Sequence, residues 1–245
     1  MAVTYLSGQR IQGLSEAVSS STTWTQNFSQ ITPTAWTEDS SSGYENNLES
    51  YKSSSNGLWF DLDDSASTGV MGMLDLQNAS YIGANPSDNK WKMRFKINLS
   101  KFDYTNTTMY IGLTDSASNG SNGSARWAGI ALIAGTGIKT VADSSNGALT
   151  GSPILGSAIS ISESTDYYVT IERTSASTLT TTVRTGSHSG SVVGSASTIT
   201  TMSGTSGLRY WKIQNSRAGI GSQNQGYVYD LEFFGSQDEK TTLVT

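Results

Sequence analysis

The stretch W-K-M-R-F-K-I-N-L, residues 91–99, alternates strictly between apolar and polar side chains. Its apolar residues therefore fall on one face of a β-strand, while Lys92, Arg94, Lys96 and Asn98 fall on the other. A strand with one apolar and one polar face is typical of an antiparallel sheet that covers a core on one side only. The stretch predicts a long antiparallel strand with one solvent-facing side.

The same period of two recurs along the chain, and clusters of Gly, Ser, Asn and Asp separate the alternating segments. A further segment is apolar almost throughout and predicts a strand that is covered on both faces. The alternating segments are 58–63, 109–115, 167–173, 179–183 and 227–234, and the apolar one is 127–135. This rhythm predicts an all-β fold of about a dozen strands, a two-sheet antiparallel β-sandwich of the jelly-roll type.

The rhythm also predicts the domain organisation, because it runs from about residue 22 without a linker or a repeat of fixed length. We expect an N-terminal arm at residues 1–21, one jelly-roll domain at residues 22–236 and a polar C-terminal tail at residues 237–245. A chain of 245 residues is long enough to bury a core without disulfides, which suits its lack of cysteine.

Composition excludes several classes of function. The net charge is −5 and only 14% of residues are charged, with no basic block, so we predict no nucleic-acid partner. No apolar run approaches the roughly 20 residues of a membrane span. One histidine and no cysteine cannot furnish the usual zinc ligand set.

Three segments, in their order, resemble the concanavalin A-like lectin/glucanase superfamily, particularly its laminin G-like branch. N-K-W-K-M-R-F-K-I-N-L (89–99) is similar to the family's long central strand, residues 164–186 to a strand-turn-strand unit, and G-Y-V-Y-D-L-E-F-F-G (226–235) to the closing strand. The resemblance covers about residues 22–236. It implies a jelly roll, and it implies a glycan-binding or glycan-cleaving protein.

We predict that the chain is not an enzyme. The glucanase branch uses a Glu-x-Asp-x-x-Glu strand, and this sequence contains no such motif. The nearest candidates are Asp230 and Glu232. We interpret them as the polar face of the closing strand, whose apolar face then carries Tyr227, Tyr229 and Leu231.

The two carboxylates of the closing strand are expected to pair with the basic residues of the long strand, Lys92, Arg94 and Lys96. The single histidine, His188, lies in a Gly/Ser turn and is expected to be an exposed turn residue, not a general base.

Sugar-binding residues are predicted where aromatic side chains point away from a strand's apolar face. Alternation gives Trp59 and Tyr110 this orientation, and Gly112 beside Tyr110 leaves room for a ligand. Arg126 and Trp127 follow a Gly/Ser/Asn-rich loop and are candidates for its rim. The alternative is that these aromatics pack beneath covering loops.

Calcium is the one candidate cofactor. Asp61, Asp63 and Asp64 lie at the end of a strand, where laminin G-like domains often hold calcium, and calcium requires six to eight oxygen ligands. The alternative is that these aspartates only form a turn.

The segment Y-L-S-G-Q-R-I-Q-G-L-S (5–15) has no continuous apolar run and is not a signal peptide. It is similar to N-terminal segments of β-sandwich proteins from marine archaea and their viruses. We expect an assembly arm in which Tyr5, Leu6 and Ile11, with Arg10 among them, anchor on another subunit. The alternative is that this segment forms the first edge strand of its own sandwich.

Two functions follow as expectations. The first is a virion structural protein, a capsid, decoration, tail or spike component that is made without a signal peptide and assembles with copies of itself or other virion subunits. The alternative is a carbohydrate-binding module or adhesin at the cell surface or outside the cell, which recognises surface glycans and uses calcium.

Overall fold

In a computed structural model of the chain, every regular element of the described residues is a β-strand. The structure describes residues 23–26, 36–38, 47–49, 58–63, 71–77, 86–102, 108–117, 126–143, 153–215 and 223–234. The strands are β1 (Thr23–Gln26), β2 (Trp36–Glu38), β3 (Asn47–Glu49), β4 (Leu58–Asp63), β5 (Met71–Asp75), β6 (Trp91–Phe102), β7 (Thr108–Thr114), β8 (Trp127–Ile133), β9 (Gly137–Asp143), β10 (Ile154–Leu155), β11 (Asp166–Arg173), β12 (Leu179–Thr185), β13 (Ser191–Val192), β14 (Ser197–Ile199), β15 (Tyr210–Asn215) and β16 (Gln223–Phe234). None of these residues forms a helix long and apolar enough to cross a membrane.

The strands form two sheets in which paired neighbours are antiparallel. One sheet has nine strands in the order β13-β12-β11-β6-β16-β4-β3, with β1 beside β16 and β14 beside β12. The other has seven strands in the order β10-β9-β8-β7-β15-β5-β2. The sheets cover one shared core, so the predicted all-β, two-sheet antiparallel sandwich is confirmed.

The core follows from the alternation that the sequence shows. On β6 the apolar side chains from Trp91 to Leu99 are buried, and the intervening side chains are half-buried on the outer face. β8 is buried on both faces almost throughout its length, as its continuous apolar sequence predicts. Each large core side chain contributes about 1.5–3 kcal/mol to the free energy of unfolding through its burial.

A buried polar cluster joins the two sheets near one lateral edge. The Thr140 hydroxyl, on β9, donates to the Ser197 carbonyl oxygen at 2.6 Å and lies 2.8 Å from the Thr181 hydroxyl on β12. The Thr140 N–H donates to the Ser197 hydroxyl at 3.0 Å. Because these groups satisfy one another away from water, they hold the seven-stranded sheet against β12 and β14 of the other sheet.

A β-bulge in β16 overturns one expectation. The pairing of β16 with β6 shifts between Tyr229 and Glu232, and Asp230 takes a left-handed φ of 50°. The bulge adds one residue to β16, so Leu231 returns to the core while Tyr227 and Tyr229 lie on the outer face. The prediction that both tyrosines share the buried face of Leu231 is wrong, because alternation does not continue through a bulge.

The predicted terminal segments stay predictions. The N-terminal arm, with Tyr5, Leu6, Arg10 and Ile11, and the polar tail at residues 237–245 lie outside the described residues.

Candidate functional site

The outer face of the nine-stranded sheet carries a row of side chains from four adjacent strands, which we call the outer row. Each member is the register partner of the next across the sheet. In that order they are Trp59 on β4, Tyr227 on β16, Asn98 on β6 and Asp166 on β11. Trp59, Tyr227 and Asn98 are half-buried and Asp166 is exposed. Because neighbouring strands are about 4.8 Å apart, the row is about 14 Å long.

One end of the outer row is aromatic. The ring of Tyr227 stacks with that of Tyr229, the next outward residue on β16, with centroids 5.7 Å apart and planes inclined at 27°. Trp59 lies opposite Tyr227 on the neighbouring strand. This end therefore offers flat ring surface on a polar sheet face, half-buried at Trp59 and Tyr227 and buried at Tyr229.

The other end of the outer row is polar and its groups hold one another in place. Asn98 Nδ2 donates to Asp166 Oδ1 at 2.6 Å. Lys96 Nζ lies 3.3 Å from Asp166 Oδ2 and 4.0 Å from the centre of the Tyr229 ring. The ammonium group of Lys96 thus links the polar end to the aromatic end through an ion pair and a cation–π contact.

Two basic residues of β6 pair with carboxylates of β11. Lys92 Nζ lies 3.8 Å from Glu172 Oε1, and Lys96 pairs with Asp166. The expected partner Asp230 is exposed on the bulge. The predicted pairing of Lys96 with β16 is wrong, because β11 is the other neighbour of β6 and its Asp166, the register partner of Asn98, takes the ammonium group of Lys96.

Arg94 is the third basic residue of β6, and one of its two expected partners on β16 is its register partner. Glu232 is its partner across the β6–β16 ladder, and the Arg94 guanidinium carbon lies 5.0 Å from the centre of the Phe234 ring. The Arg94 side chain therefore lies between an acidic and an aromatic residue of β16.

His188 lies in a turn, as predicted, but it is half-buried and not exposed. Its ring contacts the Tyr168 ring edge to face, with centroids 5.3 Å apart and planes inclined at 83°. Tyr168 is the register partner of Lys96, so this aromatic pair borders the outer row.

The predicted sugar contacts Tyr110 and Trp127 lie on the outer face of the seven-stranded sheet. Both point away from the shared core, as alternation predicts for Tyr110, but they are only 5% and 2% exposed. Their rings meet edge to face, with centroids 6.2 Å apart, and form a second small hydrophobic cluster. The room expected beside Gly112 is therefore occupied by an aromatic pair, and the role of both rings in sugar binding stays a prediction.

Arg126 is held beside Trp127 by an acidic residue at the end of β7. Its backbone N–H donates to Asp115 Oδ1 at 2.7 Å, and its Nη1 lies 3.3 Å from Asp115 Oδ2. Nη1 also donates to the Ser206 carbonyl oxygen at 3.4 Å. The structure thus brings Arg126, Trp127 and Tyr110 to one sheet and places Trp59 on the other.

Lys212 is a buried residue that the sequence did not single out. It lies on β15 opposite Gly112, on the outer face of the seven-stranded sheet, and is 1% exposed. Burial lowers the pKa of Lys212 to about 8, and the negative charge of Asp115 opposes this shift. Its position in an alternating segment is typical of a solvent-facing lysine, so the sequence offered no signal for its burial.

The candidate calcium ligands are Asp61, Asp63 and Asp64. Asp61 and Asp63 belong to β4, but their side chains, and all of Asp64, lie outside the description. Among the side chains that are described, no group of three or more His, Asp or Glu residues is arranged to hold a metal ion. Calcium stays a prediction.

No protein-family model matches the chain, and no curated protein does. Solved structures do. A protein of unknown function from Shewanella oneidensis MR-1 has a TM-score of 0.57 at 14% identity, over 91% of this chain and 90% of that one. A family 7 alginate lyase, A1-II′, solved with substrate, has a TM-score of 0.51 at 11% identity, over 89% and 95%.

The binding domain of botulinum neurotoxin serotype D/C has a TM-score of 0.49 at 13% identity, over 79% of this chain and 43% of that one. This chain therefore spans less than half the length of the toxin chain. At such low identities the likenesses to the Shewanella protein and the alginate lyase, both above a TM-score of 0.5, show the fold, an all-β sandwich shared with jelly-roll proteins.

Proposed function

We propose that this protein is a non-enzymatic carbohydrate-binding β-sandwich that contacts its glycan through the outer row. One observation carries the proposal: half-buried aromatic rings lie directly beside polar side chains that hydrogen bonds hold in place. The rings of Trp59 and Tyr227 suit the apolar faces of sugar rings, and Asn98 with Asp166 suits sugar hydroxyls. Placed side by side, these are the two kinds of contact that a carbohydrate requires.

Binding suits this site better than catalysis. Asp166 is the one carboxylate of the outer row, and both of its oxygens are engaged by Asn98 and Lys96. A retaining glycosidase instead needs two carboxyl groups about 5–5.5 Å apart, one of them acting as a proton donor. The structurally similar alginate lyase acts on a polysaccharide, which supports a glycan ligand for this sandwich without extending lyase chemistry to it.

The test compares two aromatic substitutions on opposite sheets by calorimetry with the glycans that a glycan array identifies. Trp59→Ala is expected to raise the Kd about tenfold or more, since aromatic side chains dominate binding energies. Tyr210→Ala is the matched control, because Tyr210 is a half-buried aromatic residue on the seven-stranded sheet. Absence of any glycan ligand, or equal losses in both variants, would overturn the proposal.

Assembly with copies of this chain or with other virion subunits is a second candidate. Leu155 on β10 and Val192 on β13 are 41% and 47% exposed, the large hydrophobic side chains that stand out on the described surface. β10 flanks β9 and β13 flanks β12, so both residues lie on the lateral edge where Thr140 meets Thr181. Two-residue edge strands offer little backbone pairing, so association there would use side chains.

Sedimentation of the wild type and of the double variant Leu155→Ser/Val192→Ser tests this second candidate. We expect a wild-type oligomer that the double variant dissociates without loss of fold. A wild type that is monomeric at high concentration would overturn the role of this edge.

A further inference from the structure

We propose that the ligand of the outer row is a neutral oligosaccharide, not a single sugar or an anionic glycan. This inference rests on the proposed function and names the ligand class of the same site. It follows from the charge balance of the sheet face, the length of the row and the fixed geometry of its polar end.

Charge balance favours a neutral ligand. On β6, a carboxylate of a neighbouring strand lies next to each of Lys92, Arg94 and Lys96. The pairs are Lys92 with Glu172 at 3.8 Å, Lys96 with Asp166 at 3.3 Å, and Arg94 with its register partner Glu232. A glycan that carries carboxylates or sulfates would have to displace one of these partners for each charge that it places on the face, whereas a neutral glycan leaves every pair intact.

The length of the outer row favours several sugar units. Its aromatic end lies on β4 and β16, and its polar end lies on β6 and β11, so the row runs across the strands for about 14 Å. A single sugar ring cannot stack on Trp59 and hydrogen-bond to Asp166 at the same time. A chain laid perpendicular to the strands can make both contacts.

The polar end is arranged before any ligand arrives. One N–H of the Asn98 amide is committed to Asp166, which leaves the amide oxygen and the second N–H directed by a fixed amide plane. Lys96 is held between Asp166 and the ring of Tyr229. Because these side chains are already ordered, binding a hydroxyl here costs little further conformational entropy.

The experiment uses two ladders of one to six units, a glucose ladder and a mannuronate ladder, at low and high NaCl with the full chain. We expect the glucose trimer and longer members to bind about tenfold or more tightly than glucose, with affinity nearly independent of salt. Trp59→Ala and Asn98→Ala should each weaken the longer ligands, and Tyr210→Ala should not.

Three outcomes would overturn the inference. The first is that the mannuronate ladder binds more tightly than the glucose ladder, with an affinity that falls as salt rises and that is lost in Trp59→Ala. This result would refute a neutral ligand but would leave the proposed function standing. Equal affinity for glucose and its hexamer would refute an extended ligand. Absence of binding to both ladders, together with no ligand on a broad glycan array, would refute the proposed function itself.

Discussion

Tyr110 and Trp127 meet edge to face above two facing glycines, with their ring centroids 6.2 Å apart and their planes inclined at 71°. Gly112 and Gly129 are register partners on β7 and β8. Each lies two residues from the aromatic residue of its own strand, Tyr110 on β7 and Trp127 on β8. Since residues two apart share a face, the rings lean toward each other over positions that have no side chains. The glycine pair therefore serves packing.

Gly112→Ala is predicted to destabilise the fold severely. An added Cβ would lie 2.5 Å from the Ala128 carbonyl oxygen and 2.6 Å from the Gly129 Cα, and backbone atoms cannot move aside cheaply. We expect a loss of about 3 kcal/mol in the free energy of unfolding, measured in urea. Ser195→Ala, at an exposed loop position, is the control and should change stability by less than about 0.5 kcal/mol. Equal effects would contradict the close approach of β7 and β8.

Thr140→Val is predicted to loosen the contact between the sheets. The substitution keeps the shape but removes the hydroxyl that donates to the Ser197 carbonyl, leaving buried polar atoms unsatisfied. We expect a loss of about 1–3 kcal/mol in urea unfolding. Thr180→Val is the matched control, since the Thr180 hydroxyl meets that of Thr198 on the outer face of the nine-stranded sheet. A control loss as large as the Thr140 loss would refute the role of the buried cluster.

Asp75→Asn is predicted to change how stability depends on acid. Arg209 Nε and Nη2 donate to the two oxygens of Asp75 at 2.8 and 2.7 Å, and this hydrogen bonding lowers the pKa of the carboxyl. A carboxyl whose pKa is lower in the folded state contributes stability above its unfolded pKa of about 3.9 and loses it as the pH falls through the folded pKa. The wild type should therefore lose more stability than Asp75→Asn between neutral pH and pH 2, most clearly at low salt. Parallel pH profiles would contradict this.

Lys212→Met is predicted to abolish a rise in stability at alkaline pH. The pKa of Lys212 is about 8 in the folded protein and about 10.4 in an unfolded chain. The charged form therefore disfavours the folded state below pH 8, and stability recovers as the pH rises from about 8 toward 10.4. The variant should lack this rise and should be at least as stable as the wild type at pH 7.

The control for Lys212 is Lys139→Met, since Lys139 is a half-exposed lysine on the outer face of the same sheet. In this control, as in the wild type, the free energy of unfolding measured in urea should rise between pH 7 and pH 9.5. Retention of the rise in Lys212→Met would assign it to another group.

Local alternation predicted the strands well and one strand face wrongly. The period of two in β6, β11 and β12 placed the buried side chains correctly, because each side chain's face depends only on its immediate neighbours. In β16 the added residue at Asp230 moved Tyr227 and Tyr229 to the outer face. The bulge arises from pairing with β6, and nothing in the local alternation marks it.

The candidate site divides in the same way. Alternation correctly predicted that Trp59 points away from the core. It could not predict that Trp59 lies opposite Tyr227, because that pairing depends on β16 lying beside β4. The pairing of Lys96 with Asp166 likewise depends on β11 being the neighbour of β6, across 70 residues of sequence. Residues that are distant along the chain form the outer row, so strand order had to be known before it could be recognised.

The sequence by itself determined that this protein is an antiparallel β-sandwich, because a period of two and short turns are local properties of the chain. The tertiary structure alone decided strand order, register, the bulge at Asp230 and the burial of Tyr110, Trp127 and Lys212. Those features follow from which segments lie against each other, and burial is a property of that packing and not of the residue. An outward-pointing aromatic ring or lysine has the same local pattern whether solvent or protein covers it.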